Sequence, residues 1–316
     1  MLDNLIFSLN AVLPIFLIMI FGMVLKRLGV IDPTGAKQMN AVLFNFALPI
    51  RLFLDLYSSD FSAIWDVRLI VFTAGSVLTF FFICWGMAVW LMPNRRMKGA
   101  FVQGGFRSNF VILGIPLVAS IMGYTPPAVI VVITVVVPMF NILSVFILTV
   151  YSGEEVVPKE IVTSSAKSIA KNPLIIGVVA GFLFALIRIP IPTILSNTLS
   201  HISDLSTPLA LIVIGASMNF GKIKERISPT LIVCSLKLIA MPLLFLPLAF
   251  MFGICNEGIV ALFVMYAAPT AIASYVMAYY MNSDEHFASS IIMFSSMLSI
   301  FTYTIGVYIL RVVEIV

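Results

Sequence analysis

The 316 residues are 61% hydrophobic and only 10% charged, with mean hydropathy +1.13 and a net charge of +4. Soluble domains carry roughly 25% charged residues, so the composition excludes a soluble enzyme or binding module and indicates an all-α integral membrane protein. The excess positive charge is confined to short loops between apolar runs, where it reports topology and gives no nucleic-acid footprint.

In chain order, ten spans are predicted. The first, Leu5–Leu25, is followed rather than preceded by Lys26 and Arg27, so it reads as a retained span and not as a signal peptide. The second, Met39–Tyr57, contains Leu48-Pro49, then Arg51 and Asp55, which are spaced to pair on one helix face. That pair is expected near the outer interface, and Asp55 is a candidate for proton coupling. The third span is Leu69–Met92. The fourth, Ala100–Met122, is the most informative: Gly104-Gly105-Phe106-Arg107-Ser108-Asn109 and Gly114-Ile115-Pro116 put a guanidinium, an amide and helix-weakening residues at bilayer depth. An Arg at that depth is costly unless it faces protein or a water-filled cavity, and irregular backbone survives there only where it lines one. A break near Asn109 is therefore expected, with Arg107 and Asn109 as substrate-binding candidates. The fifth span, Ala128–Tyr151, is Val-rich but too long for a strand.

A polar stretch, 152–172, is the longest between spans. The sixth span is Pro173–Ile189. The seventh, Leu195–Phe220, carries Asp204 near its start and Thr207-Pro208; Asp204 reads as a helix N-cap or a second coupling site. The eighth, Thr230–Phe252, carries Lys237, near enough to the cytoplasmic end to snorkel. The ninth, Gly258–Met281, is interrupted at Ala268-Pro269-Thr270. Pro269 lacks an N–H, and Thr270 and Ser274 bring hydroxyls to the same break. Pro269, Thr270 and Ser274 complete the substrate-binding candidates. The tenth is Phe287–Val312.

Three cysteines in or beside apolar runs (Cys84, Cys234, Cys255) and two separated histidines (His201, His286) give no disulfide framework and no metal site. No metalloprotease, lipase-type or P-loop motif is present. An enzyme is not expected, nor any cofactor, and transport would run on a gradient. Counted by loop, Lys and Arg favour one side by about twelve to three, which makes that side cytoplasmic and puts both termini outside a cell inner (plasma) membrane. The loop between the last two spans, with Asp284 and Glu285, is the exception.

The stretch 152–172 divides the chain into five spans over 1–151 and five over 173–316. An odd number per half inverts the second half, as in many secondary transporters, and interrupted helices at matching positions mark the substrate site. The expected fold is thus two inverted five-helix repeats whose broken fourth and ninth helices cross near the midplane.

Asn109-Phe110-Val111-Ile112-Leu113-Gly114-Ile115-Pro116-Leu117 resembles the fourth-span motif of the auxin efflux carrier family, and Phe106-Arg107-Ser108 its bacterial Phe-Arg-Gly lead-in. Thr207–Met218, with Gly215-Ala216-Ser217, is similar to the family's seventh-span stretch. Pro269-Thr270-Ala271 through Tyr275-Val276-Met277-Ala278, followed by Ala288-Ser289-Ser290, is similar to its last signature. Ser108 replaces a proline of plant members, and Ala273 an asparagine of many bacterial ones. The resemblance implies a scaffold and a transport domain, an elevator-like cycle, a homodimer, and small organic anions as substrates: indole-3-acetate in plants, malonate or malate in bacteria. Sodium coupling of the related bile-acid type, a non-transporting sensor or partner protein, and a channel are the alternatives.

Overall fold

The computed structural model describes residues 2–58, 66–124, 126–152, 173–217, 226–254, 256–313 and 315. Cys255 and the interior of the polar linker lie outside them. Among the described residues every element is helical except one isolated antiparallel β-bridge. The helices are α1 (Leu2–Arg27), α2 (Pro33–Tyr57), α3 (Val67–Leu91), α4 (Arg95–Phe106), α5 (Ile115–Met122), α6 (Pro127–Tyr151), α7 (Pro173–Ile187), α8 (Thr193–Ser217), α9 (Ile227–Met251), α10 (Glu257–Ala267), α11 (Ala273–Tyr280) and α12 (Glu285–Val312). Among the described residues six helices, α2, α3, α6, α8, α9 and α12, are long and apolar enough to cross a membrane, and α7 and α10 are shorter apolar helices.

Local chemistry sets the helix starts. Asp32, followed by Pro33 at the first helical position, caps α2 by accepting from Gly35 N at 2.6 Å, so α2 begins six residues before the predicted Met39. Asp66, Asn94 and Asp284 cap α3, α4 and α12 in the same way. Asp284 also pairs with Arg226 at 2.9 Å, which accounts for an acidic residue in an otherwise basic set of loops.

Three helical turns are widened to π geometry: Leu43–Ala47 within α2, Phe110–Gly114 ahead of α5, and Leu236–Ala240 within α9. Each is followed by a proline at the second position of the next α-helical segment, Pro49, Pro116 and Pro242. A proline ring clashes with the carbonyl four residues earlier and donates nothing to it. Here that carbonyl falls in the middle of the wide turn, where the extra residue moves it out of the way. Pro138 and Pro247 sit inside helices without such a turn, so proline permits it without compelling it.

The surface is apolar along helix stripes. On α3, Val71, Leu78, Phe82, Val89 and Trp90 are exposed, while Thr73, Ser76, Phe80 and Cys84 face inward. Large exposed apolar faces with polar groups inside belong in lipid. The two most extensive helix pairs are α1 with α8 and α2 with α7. Both depend on backbone contact at glycine: a Cβ on Gly22 or Gly215 would strike the carbonyls of Ile212 or Met19, and one on Gly177 or Gly181 those of Pro49 or Phe53. Small residues allow membrane helices to approach this closely. Around α4 pack α3, α6 and α12, and α10 lies against α6, α9 and α12. Outside the spans, Tyr124 donates to the Glu257 carboxylate, tying the turn after α5 to the start of α10; that bond, the largest cause, raises the phenol's pKa above its usual value.

Candidate functional site

Two helices stop inside the protein and meet. α4 ends at Arg107, whose backbone is extended (φ −77°, ψ 129°), and helical geometry resumes at Phe110. α10 ends at Ala268, also extended (φ −64°, ψ 141°), as a residue before proline must be. The two interruptions run antiparallel. Ser108 bridges Thr270, and Asn109 N donates to Pro269 O at 2.8 Å.

Side chains satisfy the backbone that the breaks free. Ser108 Oγ donates to Met265 O at 2.7 Å, and Thr270 Oγ1 donates to Gly104 O at 2.8 Å, so each hydroxyl caps the end of the opposite helix. Thr270 N donates to Ser295 Oγ of α12 at 3.1 Å. The carbonyl ends of α4 and α10 therefore converge on one face of the crossing. The amino ends of the segments that follow, Phe110–Met122 and Ala273–Tyr280, leave from the other. Helix dipoles favour cations at the former and anions at the latter.

Arg107 lies in the break and is buried. Its Nη1 donates to Met277 Sδ at 2.6 Å and its Nη2 to Asn141 Oδ1 at 3.0 Å. Asn141 is held in turn by Val137 O at 2.7 Å. No ion pair found among the described residues includes Arg107, so its hydrogen bonds are to neutral atoms. Beside it Asn109, 5% exposed, has its Nδ2 without a partner, a costly arrangement for a buried amide. Both residues line a cavity of about 90 Å³ between α2 and α8 on one side and the crossing with α6 on the other. Arg51, Asp55, Ser206 and Thr207 also line it.

A family model described as "Membrane transport protein" matches residues 7–307. The chain belongs to the membrane transport protein family. This bears out the resemblance to auxin efflux carriers. The chain is 25% identical to an uncharacterized transporter of Methanothermobacter thermautotrophicus, over 93% of this chain and 95% of the other. It is 23% identical to the uncharacterized transporter YfdV of Escherichia coli, over 98% and 99%. A 27% match to the lysosomal cholesterol signaling protein of Mus musculus covers 78% of this chain but 29% of the mouse protein. This family member is therefore a transmembrane transport protein, and its family and the archaeal and Escherichia coli relatives are transporters rather than enzymes.

Of the five binding candidates read from the sequence, the structure brings all to the crossing but only Arg107 and Asn109 to the cavity wall. Pro269 and Thr270 are committed to the crossing itself, and Ser274 Oγ, on the second residue of α11, is buried without a partner. Asp55 pairs with Arg51 at 3.0 Å as expected.

Two expectations are corrected. Asp204 is no N-cap: it ends the first α-helical stretch of α8, Thr193–Asp204, one turn residue before Ser206–Ser217, with its side chain 69% exposed and 3.7 Å from Arg51. Lys237 does not snorkel, since it is 0% exposed and turned inward by its wide turn. Asn141, Met277 and Ser295 were missed. A lone amide in a valine-rich span was the available signal for Asn141; Met277 stood in the quoted last signature with no role assigned, and nothing marks Ser295.

Proposed function

We propose that this transporter carries small organic anions by an elevator-type alternating-access cycle. The observation that carries the reading is Arg107 beside the unpartnered Asn109 amide, at the face of the crossing from which two helix amino ends depart. A planar guanidinium matches a carboxylate's two oxygens, and Asn109 Nδ2 supplies a further donor. At roughly 10–15 Å³ per water, the cavity of about 90 Å³ has room for about six to nine water-sized groups. That suits malonate or malate and is small for indole-3-acetate or a sterol.

The reading takes the chain as two inverted five-helix repeats, 1–151 and 173–316, with 152–172 between them. The α1–α8 and α2–α7 pairs support it. Exchanging the halves turns one pair into the other, each with glycine against carbonyl. These four helices would be the scaffold, and the crossing with α3, α6, α9 and α12 the moving body. A second cavity of about 280 Å³ on the same interface supports alternation. It is lined by Lys26, Lys37, Asn40, Ser217, Tyr275 and His286. By the loop charges it opens to the cytoplasm. The Phe44–Tyr280 stack, centroids 4.7 Å apart, lies on the same interface. Placement in an inner membrane with both termini outside, and a homodimer, complete the proposal. Asp55 and Asp204 flank Arg51, and protonation of Asp55 would release it.

Purified protein in liposomes should take up labelled malonate or malate saturably, and faster when the lumen holds the same anion. Specific binding without flux would favour a sensor, and non-saturating current a channel.

A further inference from the structure

Lys237 is a second buried cation, and the substrate site does not use it. It is 0% exposed, and the hydrogen-bond partner of its Nζ is the Met241 thioether, at 3.6 Å. No ion pair among the described residues includes it. A permanently charged ammonium with so weak a partner would be prohibitively costly at this depth. An ammonium can shed the cost by losing a proton; a guanidinium cannot.

Its surroundings favour a proton at one stage of a cycle. The wide turn that carries it packs against α4, α10 and α12: the two helices whose carbonyl ends meet at the crossing, and the one that supplies Ser295. Cys84 of α3 is the titratable side chain within electrostatic reach of Nζ. Its sulfur lies where a Cβ on Gly105 would be, at 2.7 Å, beside the carbonyl end of α4. Other ionisable groups on these elements are engaged elsewhere or distant. Arg95, Arg96 and Lys98 start α4, and Glu257 starts α10, about 15 Å from the crossing at 1.5 Å per residue. Glu285 and His286 start α12, and Arg311 ends it. Tyr266 donates to Ser76 and Cys234 points at Ile291 O, while Tyr303, whose ring packs on Phe263, has a buried hydroxyl without a partner.

We propose that Lys237 is the proton-coupling site of this transporter and that an anion and a proton cross together. The inference rests on the transport reading above. A proton that crosses with the substrate must ride on the moving body. Lys237 is on it, whereas Asp55 and Asp204 belong to α2 and α8. With the anion site empty, Arg107 keeps its charge and Lys237 is an amine. When the anion arrives, the nitrogen lone pair takes a proton from water, and the converging carbonyl ends stabilise the new ammonium. On the far side the N–H bond breaks heterolytically, the pair stays on nitrogen, and the proton leaves to water with the anion.

Malonate added to wild-type protein in weakly buffered detergent, at a pH where both carboxylates are ionised, should take up about one proton per anion bound. In liposomes clamped at zero membrane potential, an outside one pH unit more acid than the lumen should concentrate malonate inside about tenfold per coupled proton. Lys237→Met and Lys237→Arg should both bind malonate without proton uptake and should not concentrate it. Proton uptake persisting in folded Lys237→Met, or accumulation by Lys237→Arg, overturns the proposal. So does wild-type exchange that ignores the gradient. Absence of wild-type malonate binding and exchange overturns the transport reading instead, and the coupling proposal with it.

Discussion

Arg107→Lys keeps the charge and removes the fork. In the empty site Nη2 rests on Asn141 Oδ1 at 3.0 Å and Nη1 on Met277 Sδ at 2.6 Å, so the guanidinium is oriented before any ligand arrives. A lysine reaches the same region with one nitrogen on a flexible stem, and one charge-assisted hydrogen bond to the substrate is lost. Such bonds contribute about 1.5–3 kcal/mol, which predicts malonate affinity about 10- to 150-fold weaker at 1.4 kcal/mol per decade. Arg107→Met removes the charge as well and should lose at least as much. It also relieves a buried cation, so its thermal stability without ligand should match or exceed that of wild type. Titration calorimetry on purified protein, with thermal melts of the same samples, measures both. Unchanged affinity in folded Arg107→Lys and Arg107→Met would remove Arg107 from the site and refute the substrate model.

Asn109→Ala deletes the unpartnered amide of the empty site; malonate affinity should fall about 5- to 100-fold, with the melt unchanged or raised, since a buried unpaired donor costs about 1–3 kcal/mol. Gly215→Val drives a side chain into the Met19 carbonyl, and overpacking of about 1–3 kcal/mol or more should lower the melting temperature, whereas the same change at Gly75, where nothing lies within 4 Å, should not. Asp55→Asn, which leaves Arg51 without its close partner, should slow malonate uptake more than Asp204→Asn, because Asp204 is mostly exposed and its pair with Arg51 is long.

Much of this architecture was legible because it follows from few physical demands. Helices at bilayer depth are read from apolar length, and the ninth-span break from a proline that cannot donate. The fourth-span break was placed from Arg107 and Asn109, two polar residues that lipid would reject. What escaped depends on contacts between distant parts of the chain. Asn141 and Met277 become partners of Arg107 only through packing of α6 and α11 on α4. Asp204 was misread because the polar run Ser203-Asp204 before Thr207-Pro208 looks like a helix start, whereas it closes the helical stretch Thr193–Asp204. Lys237 was misread because inward and outward faces of an apolar helix look alike in sequence. Thr270 was expected to meet substrate, yet its hydroxyl caps α4, a competing use that residue type cannot reveal.

The widened turns also set rotational phase. One extra residue turns everything beyond it by about 100° about the helix axis. In α2 the turn at Leu43–Ala47 precedes Arg51 and Asp55, so the direction in which that pair points is set by the wide turn and not by its own chemistry. In α9 the turn at Leu236–Ala240 keeps Lys237 and Met241 on one inward line and leaves Leu243, Leu244 and Leu248 outward. Removing a single residue from either turn would leave composition and hydropathy almost unchanged, yet would swing a charged pair out of the cavity or a leucine row into the core.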